Sequence, residues 1–102
     1  MIDILPEHLA IVKNILTEIV PDIEVFAFGS RVTGPAKKHS DLDLLLKGKG
    51  IIDKAVMRKL KIAFEDSDLP FRVDVLDWAS TKPNFREMIE KHAIIIKEVK
   101  KQ

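Results

Sequence analysis

The chain has 102 residues, 46% hydrophobic and 32% charged, with 17 Lys and Arg against 16 Asp and Glu. That length allows one modest core, and a net charge of +1 excludes a polyelectrolyte aimed at nucleic acid, so any electropositive site is local. The absence of cysteine excludes disulfides and thiolate metal sites, no apolar run approaches the roughly 20 residues of a bilayer span, and MIDILPEH carries an early acid where a signal peptide has a basic stretch. The expectation is one domain over residues 1–102, cytoplasmic, with no membrane contact and no direct nucleic-acid binding.

Pro6 suits the first turn of a helix. Leu9, Val12, Ile15, Leu16 and Ile19 then recur at helical spacing until Pro21. Val25 to Phe28 is a short β-prone run closed by Gly29, and Asp41 to Lys47 reads as a second strand closed by Gly48 and Gly50. Ile52, Val56, Leu60 and Ala63 form one face of a second long helix. Phe71 to Leu76 is a third strand after Pro70. Pro83-Asn84 opens a final helix carrying Phe85, Met88, Ile89, Ile96 and Val99, although Ile94-Ile95-Ile96 also fits a short strand. The order predicts an α+β fold, an α/β sandwich in which helices cover one face of a small mixed sheet.

Side chains on a strand alternate faces. On the second strand Asp41, Asp43 and Leu45 share one face, and Leu42, Leu44 and Leu46 share an apolar one. On the third strand Arg72, Asp74 and Leu76 lie together, opposite Val73 and Val75. If the strands are neighbours with polar faces aligned, Asp41, Asp43 and Asp74 converge, and such a cluster is repulsive unless a cation holds it. Oxygen-only ligands suit Mg²⁺, with Mn²⁺ as the substitute. Asp77, three residues after Asp74, falls on the other face. Taken singly, each feature has a plainer explanation. Asp-x-Asp is usually a solvated strand face, Gly29-Ser30 a turn with a helix cap, Arg31 an exposed salt bridge, and Lys37-Lys38-His39 a solvated basic loop. His8, His39 and His92 show no zinc-ligand spacing.

Gly29-Ser30, ten intervening residues, Asp41-Leu42-Asp43, and then a strand bearing Asp74 resemble the nucleotidyltransferase superfamily that includes DNA polymerase β. GSRVTGPAKKHSDLDLLL, together with DLPFRVDVLDW and the last helix, is similar to the minimal nucleotidyltransferases, the antitoxin-type partners of HEPN proteins. The resemblance covers nearly the whole chain and implies the polymerase β-like fold. It implies that Gly29, Ser30 and Arg31 bind the nucleotide triphosphate, and that Asp41 and Asp43 bridge two Mg²⁺ ions. Asp74 would share the second ion and help take the acceptor proton. The implied reaction transfers AMP from ATP, or a nucleotide from another nucleoside triphosphate, to a tyrosine of a HEPN toxin. The chain looks too short to hold an acceptor unaided, so a hetero-oligomer is expected, with Trp78, Phe85 and the last helix as contact candidates. The competing reading is a partner subunit of this fold that neutralises the toxin by docking alone.

Overall fold

A computed structural model describes residues 2–37 and 39–99; Lys38 of the basic loop lies outside the described residues. Helix α1 (Pro6–Ile19) opens with its proline in the first turn and buries Val12 and Leu16. Strand β1 (Glu24–Phe28) leads into a single helical turn, α2 (Ser30–Thr33), and then strand β2 (Leu42–Lys47). Helix α3 (Lys54–Glu65) is capped by Asp53, which accepts from Ala55 N–H at 2.7 Å, and buries Leu60 and Phe64. Strand β3 (Val73–Asp77), a 3₁₀ turn (Trp78–Ser80), helix α4 (Pro83–Glu90) and strand β4 (Ile94–Lys97) follow.

The four strands form one mixed sheet in the order β3-β2-β1-β4. β1 runs antiparallel to β2 and β4, and β2 runs parallel to β3. Alternation puts Val25, Ala27, Leu42, Leu44, Leu46 and Val75 into one core with Val12 and Leu16 of α1 and Leu60 and Phe64 of α3. The expected helix-covered face is therefore present, and its apolar sequence pattern is the cause.

Two expectations about the end of the chain are corrected. The last helix stops at Glu90, and Ile94 to Lys97 form the strand that the isoleucine run also allowed. β-branched residues suit a pleated, half-buried surface, and here Ile94 and Ile96 pack against the core while Ile95 stays 40% exposed. Ile96 and Val99 are thus not helical, and β4 completes the sheet beside β1. The third strand also starts two residues later than expected, at Val73. α4 reaches the sheet face opposite α1 and α3, where Phe85 meets Phe28 edge-on at 6.2 Å between ring centroids. Two cations stand near the Trp78 ring, Lys47 Nζ at 4.9 Å and the Arg86 guanidinium at 5.0 Å from its centre. Among the described residues no helix is long and apolar enough to cross a membrane.

Candidate active site

The site begins with strand register. In the parallel pair Asp43 stands beside Asp74, and in the antiparallel pair it stands beside Phe28. Cross-strand partners share a face, so the two carboxylates and the Phe28 ring are on the side away from the main core. Asp41 lies two residues before Asp43, just ahead of β2, and all three acids line one open cavity of about 950 Å³ together with Phe28 and Phe85. The three acids that the sequence singled out thus line one cavity.

Gly29 joins this arrangement from behind. Its φ is +82°, a conformation that L side chains rarely adopt, and a Cβ there would collide with Asp43 Oδ2. The end of β1 therefore has to be glycine for the Asp43 carboxylate to sit where it does. Ser30 starts α2 immediately afterwards, and the turn is closed by Val32 and Thr33 N–H donating to Gly29 O at 3.0 Å each. Gly29 and Ser30 are flanking residues: the cavity wall is formed by the acids in front of them.

Electrostatics follow from this packing. Burial pushes the Asp43 carboxyl above its ordinary range, and the charges of Asp74 and then Asp41 push in the same direction. The nearest positive charge to Asp74 is Arg72 Nη2 at 3.8 Å, but these side chains are 82% and 47% exposed, so water and salt screen the pair. The three acids thus share a cavity and feel one another. Among the described residues, no group of three or more His, Cys, Asp or Glu is already gathered closely enough to hold a metal ion.

Arg31, read from the sequence as either a triphosphate ligand or an exposed salt bridge, is buried in the structure. It is 6% exposed, its Nε donates to Ser40 O at 2.8 Å, its Nη1 donates to Asp3 O at 2.9 Å, and it lies 4.2 Å from the centre of the Phe71 ring. Nothing in the local sequence distinguishes a buried arginine from an exposed one. Asp77, the sequence rival of Asp74, points the other way: its carboxylate accepts from Ile52 N–H at 2.8 Å and Ala79 N–H at 3.1 Å. Sequence reasoning did not place His39 of the basic loop or Lys61 of α3 on the cavity wall, where both stand with the acids. Lys61 lies on α3, and a helix pattern does not show which strand edge it overlooks.

The family profile described as "Nucleotidyltransferase domain" matches residues 9–98. The chain belongs to the nucleotidyltransferase domain family. It is also 54% identical over 100 residues to a Haemophilus influenzae protein named "Probable protein adenylyltransferase MntA", covering 98% of this chain and 88% of that one. Among solved structures, a toxin-antitoxin with AMP-PNP aligns with a TM-score of 0.73 at 19% identity, over 87% of this chain and 72% of that one. A complex of a tri-AMPylated Shewanella oneidensis HEPN toxin with its MNT antitoxin aligns with a TM-score of 0.62 at 17% identity, over 89% and 70%. At those identities the two structures speak for the fold, and the mixed sheet described above is the nucleotidyltransferase fold. The Haemophilus relative shares its sequence with nearly the whole of this chain.

Proposed function

We propose that this chain is a divalent-metal-dependent adenylyltransferase that moves AMP from ATP to a hydroxyl of a protein acceptor, a tyrosine of a HEPN toxin, and so acts as the antitoxin. The observation that carries the reading is the register pair of Asp43 and Asp74, set against Gly29 and opening with Asp41 into one cavity. The acceptor class comes from the relatives, one named as a protein adenylyltransferase and another solved with an AMPylated HEPN toxin. The whole 102-residue chain then acts as a single minimal nucleotidyltransferase domain.

The donor chemistry fits a hard cation. Asp41, Asp43 and Asp74 offer carboxylate oxygens alone, the set that suits Mg²⁺ or Mn²⁺, and burial first, then the charges of Asp74 and Asp41, raise the Asp43 carboxyl above its ordinary range. Two Mg²⁺ ions held by Asp41, Asp43 and Asp74 would neutralise the triphosphate and acidify the acceptor hydroxyl. The protein's own part is placement. Gly29 leaves room for the Asp43 carboxylate, and Ser30 offers its hydroxyl to the triphosphate. Asp74, 47% exposed and at the sheet edge, takes the proton as the acceptor oxygen attacks the α-phosphorus. The O–P bond to the acceptor forms, the α–β anhydride breaks, and pyrophosphate leaves. Phe28 and Phe85 give the same cavity an apolar wall.

The test uses the chain with its HEPN partner and ATP labelled at the α-phosphate. Label should pass to the partner in the presence of Mg²⁺, and Asp43→Asn should abolish transfer. The two proteins should also co-elute as a hetero-oligomer in size exclusion with light scattering. Equal labelling by Asp43→Asn would overturn the assignment of the acids. A complex that forms and neutralises the toxin without any label would leave docking as the whole function.

A further inference from the structure

The buried Arg31 has contacts that converge on the places where the site-bearing strands begin. In the parallel pair the first register partners are Leu42 and Val73, and Leu42 N–H donates to Arg72 O at 2.9 Å. Arg31 touches the residue two before each partner: its Nε holds Ser40 O, the carbonyl of the peptide that links Ser40 to Asp41, and its guanidinium packs on Phe71. Its Nη1 holds Asp3 O, while Asp3 N–H returns a hydrogen bond to Arg31 O at 2.6 Å. Arg31 itself follows Ser30 on α2. One side chain therefore ties the Gly-Ser turn, the peptide ahead of Asp41, the lead-in to Asp74 and the N-terminal segment into one unit.

We propose that Arg31 is a positioning residue, which sets Asp41 and the start of β2 against Asp74 and the Gly29-Ser30 turn, and is not a ligand of the triphosphate. This rests on the adenylyltransferase reading of the site. A guanidinium suits the task because it is planar. It can stack on an aromatic face while its fork donates in two directions in its own plane, and a lysine ammonium cannot do both. Burial adds to the effect. A buried charge is costly unless hydrogen-bonded, so displacement of Ser40 O would leave Arg31 under-satisfied, and the loop is held by that penalty as well as by the bond. Within the loop, among the described residues, Ser40 N–H donates to Lys37 O at 3.0 Å and Ser40 Oγ accepts from Lys37 N–H at 2.8 Å.

Arg31→Lys and Phe71→Leu separate this role from phosphate binding and from a general contribution to folding. Lysine keeps the charge and loses the fork; leucine keeps apolar bulk, loses the stacked ring, and has no means of touching phosphate. With ATP, Mg²⁺ and the HEPN partner, Arg31→Lys should lower kcat at least tenfold and leave the KM for ATP within about threefold of the parent. Phe71→Leu should show the same split at smaller amplitude. Amide hydrogen exchange on the chain alone should rise at least tenfold over residues 39–43 in Arg31→Lys, with β1 and α3 unchanged. A raised KM for ATP with kcat preserved would overturn the proposal in favour of a phosphate ligand. A uniform rise in exchange across the sheet, or none over residues 39–43, would overturn it as well. The exchange measurement decides the matter even if the parent transfers no AMP, and that outcome alone would instead count against the adenylyltransferase reading.

Discussion

Asp43 occupies the space that a side chain on Gly29 would need. The two residues come from neighbouring antiparallel strands, one step beyond the Phe28–Asp43 register pair. The φ of +82° at Gly29 is a second reason for glycine at that point, beside the space that Asp43 takes. An acid at the centre of the sheet face is kept in place by the absence of an atom in the strand beside it. The Gly-Ser pair and the Asp-x-Asp pair, far apart in sequence, are thus a single structural unit.

Gly29→Ala is expected to damage both stability and chemistry. The backbone conformation is one that glycine alone adopts cheaply, so strain of about 1–3 kcal/mol follows from φ and ψ. The new methyl group also displaces the Asp43 carboxylate. Chemical denaturation should show the loss in midpoint, and the labelling assay should show activity falling further than the unfolded fraction explains. A variant that is less stable but fully active at low temperature would separate Gly29 from the placement of Asp43.

The parts of this architecture that the sequence revealed are those set by local periodicity. The alternating Leu42, Leu44 and Leu46 against Asp41, Asp43 and Leu45 gave the buried face directly, and Pro6, Pro21 and Pro83 marked helix starts and stops. What stayed hidden depended on partners distant in the chain. Ile94 to Ile96 is equally apolar as a strand or as a helix, and only the free edge of β1 made it a strand. Arg31 looked like a surface arginine because its acceptors, Asp3 and Ser40, are carbonyls, which leave no trace in residue identity. Lys61 and His39 reach the cavity because α3 and the loop overlook β3, a relationship that no single segment encodes.

Asp74 and Asp77 should give opposite results. Asp74 faces the cavity with one screened contact to Arg72, so Asp74→Asn should fold normally and lose transfer by a hundredfold or more, on the order of what positioned acid–base groups contribute. Asp77 holds the backbone of Ile52 and Ala79 and lies 3.4 Å from Ser80 Oγ. Asp77→Ala should cost about 1–2 kcal/mol, the usual scale for a lost cap, and retain most activity in whatever fraction is folded. Thermal melts and single-turnover labelling on both variants check the pair. Loss of transfer in Asp77→Ala with unchanged melting would mean that the acids had been assigned to the wrong faces.

Asp43 should also make the metal-free protein sensitive to pH in an unusual direction. Most carboxylates in folded proteins are stabilised as anions, so acid weakens the fold. Asp43 is the reverse: its carboxyl is raised above its ordinary value by burial first, then by Asp74 and Asp41. The folded state therefore holds this proton at pH values where the unfolded chain has released it. The stability contributed by this group falls as pH rises from the ordinary aspartate pKa through the raised one, and is recovered on acidification across the same window. Asp43→Asn removes the buried charge, so at pH 7 without divalent cations it should melt at a higher temperature than the parent, and the difference should shrink as the pH is lowered toward that window. Mg²⁺ or Mn²⁺ should raise the parent's melting temperature and leave the Asn variant nearly unmoved, since a ligand stabilises only the form that binds it. Scanning calorimetry from acid to neutral pH, with EDTA and then with each cation, measures all of this. A parent more stable than Asp43→Asn in EDTA at pH 7 would show that the charge is already balanced within the chain, and the case for a cation at these acids would fall with it.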